Sequence, residues 1–77
     1  MKPVKYVVEE DPRNPFNAVY IEYRGDTGWT ITQGGNCLNK DGKWEYEPMP
    51  SSRTEEFIKR TRFKDEHEAL DFYNSLQ

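Results

Sequence analysis

The chain has 77 residues and a net charge of −3 at neutral pH, so it has room for one small domain and excludes a cofactor domain beside a substrate domain. Val, Ile, Leu and Phe contribute only 14 residues, a fraction low enough to raise the question of disorder. Eleven aromatic residues and the small net charge argue against disorder, because aromatic side chains bury large areas and self-repulsion is weak. We therefore expect a single small domain over residues 1–77, of modest stability.

Cysteine and histidine content limits the redox and metal chemistry of the protein. A single cysteine, Cys37, excludes an internal disulfide, and Cys37 and His67 together cannot supply a four-ligand Cys/His zinc site. No apolar run approaches the ~20 residues that a membrane-spanning helix needs, and residues 1–3 do not open a signal peptide. We therefore expect a cytoplasmic protein without a cofactor and without a membrane partner.

The first two-thirds of the chain is predicted to form antiparallel strands. Residues with β-propensity alternate in polarity between breaks that are rich in Gly, Pro, Asn and Asp. The dipeptide Asp41-Gly42 lies between two such runs and is a strong hairpin signal. The predicted strands cover residues 4–9, 18–24, 29–32, 37–39 and 44–47.

Two helices are predicted after the strands. Ser52 and Glu55 have the spacing of a capping box, which predicts a short helix from Ser52 to about Arg60. Asp65 is predicted to cap a second helix, which has an apolar face formed by Ala69, Phe72, Tyr73 and Leu76. Residues 61–64 are predicted to be a short strand or a bend. The fold class is therefore α+β: an antiparallel sheet of four or five strands, followed by two C-terminal helices packed on one face.

The alternation and the helical spacing also predict which side chains form the core. The choice of face for the first strand is open, because both faces carry apolar residues. The predicted core residues are Tyr6, Val19, Ile21, Trp29, Ile31, Leu38, Phe57, Leu70, Phe72 and Tyr73.

No residues in the sequence assemble a catalytic site. His67 lies in the first turn of an acidic predicted helix, where a solvated side chain is the usual role. Cys37 has no charged neighbour that would activate its thiol, so a half-buried cysteine of a strand is expected. The carboxylates alternate outward or lie on helix surfaces rather than in a buried pair. We predict that the protein is not an enzyme, the remaining enzymatic alternative being a site shared between copies of the chain.

Basic residues are concentrated between two acidic segments. Residues 51–64 have a net charge of +3, whereas residues 1–50 have −2 and residues 65–77 have −4. Their aliphatic stems could cover a thin aromatic core while their charged ends are solvated, or their charged ends could contact a partner protein. A third interpretation is a single-stranded nucleic-acid platform in which Trp44 and Tyr46 stack on bases, although the negative net charge opposes it.

A candidate partner-binding patch lies around the junction of the last strand and the first helix. Trp, Tyr and Arg are the residue types that dominate binding hot spots. Prolines at 48 and 50 stiffen the loop that joins the last strand to the first helix, and a stiff loop loses less entropy when it binds. Arg53 and Arg60 are seven residues apart, which is two turns along one face of the predicted helix. The alternative is that Trp44 and Tyr46 point into the core. The predicted partner-binding residues are Trp44, Tyr46, Met49, Arg53, Arg60 and Arg62.

Residues 29–63 contain the segments that carry a family resemblance. They are Trp29-Thr30-Ile31, Cys37-Leu38-Asn39-Lys40-Asp41-Gly42, Trp44-Glu45-Tyr46-Glu47-Pro48-Met49-Pro50-Ser51-Ser52-Arg53, and Phe57 with Arg60-Thr61-Arg62-Phe63. These segments resemble small uncharacterised proteins encoded by bacteriophages and their actinobacterial hosts. The resemblance implies a phage-type accessory protein that acts in the host cytoplasm by binding and blocking a host defence or regulatory protein.

Taken with the residues themselves, this predicts a non-enzymatic binding protein whose partner is a host protein. A single-stranded nucleic-acid-binding module is the alternative function. An exposed first strand, or the strand at 44–47, could pair with a second copy of the chain, so a monomer or a homodimer is expected.

Overall fold

The computed structural model of the protein describes residues 4–76, which form one five-stranded antiparallel sheet followed by two helices. The strands lie in the sheet in the order in which they occur along the chain. This confirms the predicted α+β fold class, with five strands. The elements are β1 (Lys5–Glu9), β2 (Val19–Tyr23), β3 (Trp29–Gln33), β4 (Asn36–Leu38), β5 (Trp44–Tyr46), α1 (Glu55–Thr61) and α2 (Glu66–Ser75).

The hairpin between β4 and β5 forms where the Asp41-Gly42 dipeptide predicts it. Gly42 adopts a φ of +81°, a left-handed conformation that L side chains rarely take. The Asn39 side-chain oxygen accepts hydrogen bonds from the backbone N–H groups of Asp41 and Lys43, at 2.9 and 3.0 Å. The turn is therefore held by glycine freedom and by an amide that satisfies the turn's backbone donors.

The main core lies between the sheet and α2. Ile21 of β2 and Ile31 of β3 are directly opposite each other, so they share one face of the sheet. Helix α2 packs on β2 and β3 over this face, which we call the α2 face. The core cluster consists of Val19, Ile21, Ile31, Leu38, Phe63, Ala69 and Tyr73.

Two predicted core residues are on the surface. Tyr6 and Leu70 are each 37% exposed, and the prediction that they are buried is wrong. The reason is the position of α2, which covers β2 and β3 and leaves β1 largely open. Trp29 and Phe72 are half-buried at the border of the core, and the remaining predicted core residues are buried.

The segment between the two helices returns to the sheet. Phe63 exchanges two backbone hydrogen bonds with Trp29, at 2.7 and 2.8 Å, and forms an isolated bridge beside β3. Its ring is buried against Phe72 of α2. Gly28 has a φ of +102°, and a Cβ there would overlap the Phe63 carbonyl oxygen, so this close approach requires glycine.

Helix α1 begins later than the capping-box pattern predicts. Thr54 is the N-cap, and its hydroxyl accepts a hydrogen bond from Phe57 N at 3.1 Å. Ser52 instead ends a short 3₁₀ turn, Pro50–Ser52, and Arg53 is extended. The prediction of a helix from Ser52 is therefore wrong by two to three residues. Because the backbone is extended at Arg53, the helix cannot begin before that residue. Thr54 is the next residue whose side chain can cap a helix.

Helix α1 lies against the β4–β5 hairpin. Lys40 N donates a hydrogen bond to Arg60 O at 2.8 Å, and Phe57 and Thr61 are the buried residues of the helix. Helix α2 begins as predicted, because Asp65 caps it by accepting a hydrogen bond from Glu68 N at 2.8 Å. Between residues 4 and 76, neither helix is long and apolar enough to cross a membrane.

Candidate partner-binding surface

Strand β5 is one of the two edges of the sheet. Its inner side is paired with β4, as hydrogen bonds from Glu47 N to Gly35 O and from Asn39 N to Lys43 O show at the two ends. In an antiparallel ladder the bonded residues alternate, so Glu45 faces β4 and the backbone groups of Trp44 and Tyr46 face outward. The outer side of β5 thus presents two N–H and two C=O groups to solvent.

The aromatic side chains of β5 are exposed. Trp44 is opposite Leu38 in the ladder, so it lies on the α2 face of the sheet, and Tyr46 lies on the same side. Because α2 packs on β2 and β3, it does not cover β5. Trp44 is 39% exposed, Tyr46 is 69% exposed and Met49, in the following loop, is 71% exposed. The alternative that Trp44 and Tyr46 are core residues is therefore wrong.

Glu45 and Glu47 project from the opposite side of the same segment, where each binds arginine. Arg60 of α1 forms a two-pronged interaction with Glu45, at 2.8 Å from Nη2 to Oε1 and 3.0 Å from Nε to Oε2. Asn39 adds a third donor at 2.8 Å. The hydrogen bonds from Arg60 and Asn39 lower the pKa of Glu45 and keep it ionised.

Glu47 is the centre of a cluster of three guanidinium groups. Arg24 donates Nη2 to Oε1 and Nε to Oε2 of Glu47, at 2.8 and 3.0 Å. Arg62 donates Nη2 to Oε2 at 2.8 Å, and Arg53 lies 3.4 Å from the same oxygen. We call Arg24, Glu47, Arg53 and Arg62 the Glu47 cluster. It ties the end of β2, the loop after β5 and the segment after α1 to one carboxylate.

The electrostatics of the Glu47 cluster favour ionised groups. Burial alone would raise the pKa of Glu47, but hydrogen bonds from Arg24 and the charges of the three arginines lower it below its usual range. Burial lowers the pKa of Arg62. The attraction of Glu47 raises this pKa, and the charges of Arg53 and Arg24 lower it further. An arginine starts from such a high pKa that Arg62 nevertheless stays charged at neutral pH.

The six predicted partner-binding residues therefore do not form one patch. Trp44, Tyr46 and Met49 are exposed, whereas Arg62 is 5% exposed and belongs to the interior of the Glu47 cluster. Arg53 precedes α1 and is directed to Glu47 and to the Pro48 carbonyl, 2.9 Å from its Nε. Arg53 and Arg60 consequently do not share a helical face as predicted. Arg60 is exposed, but it is paired with Glu45 on the side of β5 away from Trp44 and Tyr46.

Sequence reasoning missed Glu47 and Arg24 as the partners of the basic segment. A signal was present, since Glu45 and Glu47 alternate with Trp44 and Tyr46 along a strand and must share the opposite side. Arg24 could not be recognised in this way, because it is 23 residues from Glu47 and follows a different strand. The interpretation in which basic stems cover the core while the charged ends are solvated is wrong for Arg53 and Arg62, because their guanidinium groups are bound to Glu47.

The residues considered for catalysis are not brought together. Cys37 is fully buried in β4, and burial raises the pKa of its thiol to about 11, so it is protonated at neutral pH. His67 is exposed on α2. In the described part of the chain, no three His, Cys, Asp or Glu side chains are grouped to hold a metal ion.

Comparisons with known proteins give no relative for this arrangement: no family model, no curated protein and no solved structure matches the chain.

Proposed function

We propose that the protein is a small non-enzymatic binding protein that attaches to another protein through the outer side of β5 and the loop after it. The observation that carries this proposal is the exposure of Trp44, Tyr46 and Met49 beside the unpaired backbone of an edge strand. Exposed aromatic residues next to backbone donors and acceptors suit a partner that offers an apolar groove and an extended segment.

The partner is proposed to be a protein of a bacterial host, in the cytoplasm, such as a component of a defence or regulatory system. The resemblance of residues 29–63 to phage-encoded accessory proteins supports this choice. The pairing of Arg24, Arg53, Arg60 and Arg62 with carboxylates supports a protein partner over a nucleic acid, because these guanidiniums are already engaged within the chain. Phosphate binding there would require breaking internal ion pairs.

The experiment has two stages. The tagged protein is used to capture a partner from an actinobacterial lysate, and the purified partner is then titrated with defined variants. We expect the double variant Tyr46→Ala with Met49→Ala to bind at least roughly tenfold more weakly, a loss of about 1.4 kcal/mol. Both side chains are mostly exposed, so the melting temperature should change little.

Val4→Ser is the matched control, because it removes an exposed apolar side chain beside the opposite edge of the sheet. Equal loss of affinity in the control, or none in the double variant, contradicts the proposed surface.

A titration with single-stranded oligonucleotides at two salt concentrations completes the test. Binding that falls steeply with salt would replace this proposal with the nucleic-acid function.

A further inference from the structure

The other edge of the sheet, β1, borders a groove on the α2 face. Because α2 packs on β2 and β3, the space between α2 and β1 is open, with a volume of about 480 Å³. The floor and walls are mainly apolar, with Tyr6 and Val8 from β1, Ile21 from β2 and Leu70 from α2. Tyr6 and Leu70 are the residues that sequence patterning places in the core and the structure leaves exposed.

A second depression lies on the opposite side of the same strand. It has a volume of about 260 Å³ and is lined by Val7, Ala18 and Tyr20 together with the acidic residues Glu10 and Asp11. Val7 lines both spaces, so they adjoin β1 from its two sides. Successive side chains of an extended segment point to opposite faces of a sheet. A strand laid along β1 would therefore place alternate side chains in the two depressions.

The outer side of β1 has the backbone groups that such a strand needs. Tyr23 N donates to Val4 O at 2.8 Å, and Tyr6 is opposite Ile21 two residues further along. Because bonded residues alternate in an antiparallel ladder, Val4 and Tyr6 face β2, and Lys5 and Val7 present their N–H and C=O groups outward. A β-bulge between Val7 and Glu9 ends the regular register and limits the pairing to this short stretch.

The charged residues around β1 favour a partner segment that carries basic residues. From residue 65 to residue 76, α2 and its cap carry Asp65, Glu66, Glu68 and Asp71 and no lysine or arginine. Glu66 lines the larger groove, and Glu10 and Asp11 line the smaller depression. The basic group on this strand, Lys5 Nζ, lies 4.1 Å from the centre of the Tyr20 ring, which lines the smaller depression, so one ammonium group partly offsets the two carboxylates there. The apolar larger groove and the acidic smaller depression complement a strand that is apolar on one side and basic on the other.

We propose that β1 accepts an extended segment of a partner protein as a sixth strand. The segment alternates apolar residues, which enter the groove beside Leu70, with lysine or arginine residues, which face Glu10 and Asp11. This site is separate from the β5 surface, at the opposite edge of the sheet, and it does not depend on the function proposed for that surface.

The test uses short synthetic peptides and backbone amide NMR spectra of the intact chain. The probe is a peptide of alternating valine and lysine, N-methylated on every backbone nitrogen that would point away from β1 so that it cannot stack on itself. Two peptides serve as controls: one is N-methylated instead on the nitrogens that would face β1, and the other has glutamate in place of lysine. We expect the probe to bind at least roughly tenfold more tightly than either control, with the largest shift changes at residues 5–7 and 70.

Two variants separate backbone pairing from non-specific attraction. Val7→Pro removes an outward N–H that no strand of the sheet uses, and it should abolish probe binding while far-ultraviolet circular dichroism stays unchanged. If Val7→Pro alters the fold, Leu70→Asp replaces it, since Leu70 is exposed on α2 and borders the groove. Tyr46→Ala on the opposite edge should bind the probe as the unmodified protein does.

Equal binding of the probe and the peptide methylated toward β1 overturns the proposal, as does binding that is indifferent to lysine or glutamate. Shift changes centred on Trp44 and Tyr46 overturn it as well. A dimer in sedimentation whose formation perturbs residues 5–7 would show that a second copy of the chain, and not a basic segment, occupies β1.

Discussion

Two buried threonines on the side of the sheet opposite α2 differ in their hydrogen bonding. Thr30 and Thr32 point to that side of β3 and are buried. The Thr32 hydroxyl donates a hydrogen bond to Glu22 of β2. Within residues 4–76 the Thr30 hydroxyl has no hydrogen-bond partner. Two residues of one type on one strand therefore contribute differently to stability, because a buried polar group costs free energy when it is not bonded.

Substitution of the two threonines by valine should have opposite effects. Thr30→Val retains the shape of the side chain and removes an unsatisfied hydroxyl, so we expect the free energy of unfolding to rise by about 1 kcal/mol. Thr32→Val breaks the hydrogen bond to Glu22 and should lower it by about 1 kcal/mol. Urea denaturation of both variants measures the difference. A loss of stability in Thr30→Val would mean that its hydroxyl is bonded in the folded protein.

At the scale of elements, the strands and α2 follow from the sequence, whereas the start of α1 does not. Alternation and the Asp41-Gly42 turn place the strands, and Asp65 marks the cap of α2 with its own local signal. Before α1 two caps compete, Ser52 with Glu55 and Thr54 with Phe57. The choice between them depends on Arg53, whose contact with Glu47 holds the intervening backbone extended. That contact joins positions 47 and 53 across the loop before α1, outside the three-residue spacing that a capping pattern reads.

The capping assignment can be checked directly. Thr54→Ala should lower the free energy of unfolding by about 1 kcal/mol, because the Phe57 N–H loses its acceptor. Ser52→Ala should change it by less than about 0.5 kcal/mol, since Ser52 is exposed and lies outside the helix. Thermal denaturation of the two variants side by side makes the measurement. The reverse order of effects would restore the capping box at Ser52.

The candidate site was predictable in composition but not in arrangement. The residue types of Trp44, Tyr46 and Met49 indicate a recognition surface, and the structure leaves them exposed. Whether they are exposed depends on how far α2 extends across the sheet, which periodicity within a single segment does not encode. The same cause explains Tyr6 and Leu70, which have the spacing of core residues and lie at the uncovered edge.

At the scale of the whole molecule, the Glu47 cluster holds separate segments of the chain together through ion pairs, as the apolar core does through packing. It joins parts of the chain that are 15 and 23 residues apart, on the side of the sheet that α2 does not cover. A buried group of this kind is sensitive to the loss of one member, because the remaining charges stay buried without compensation. Its contribution to folding must therefore depend on the protonation of Glu47.

The pH dependence of stability follows from the lowered pKa of Glu47. A carboxylate whose pKa is lower in the folded state stabilises the fold fully above its unfolded pKa, here 4.5, and loses that contribution as the pH falls through the folded value. We expect Glu47→Gln to lower the free energy of unfolding by about 2 kcal/mol at neutral pH, because charge-assisted hydrogen bonds are lost. The difference from the unmodified protein should shrink below pH 4.5.

Urea denaturation from neutral pH down to about pH 3 measures this difference. Asp71→Asn, which removes an exposed carboxylate from α2, is the control and should have a much smaller effect at neutral pH. A Glu47→Gln deficit that is the same at every pH would contradict the electrostatic role of the cluster.

The bridge between Trp29 and Phe63 also constrains how the nascent chain can fold. Synthesis delivers β3 early, yet the backbone groups of Trp29 bond to a residue made 34 positions later. Until residue 63 has left the ribosome, the backbone N–H and C=O groups of Trp29 have no partner, although β3 lies in the middle of the sheet. Adjacent strands can pair as they emerge, because their connections are short, but closing this longer loop costs additional entropy. Until Phe63 pairs with Trp29, the growing chain therefore carries an interior strand with unpaired backbone groups that other chains can bind.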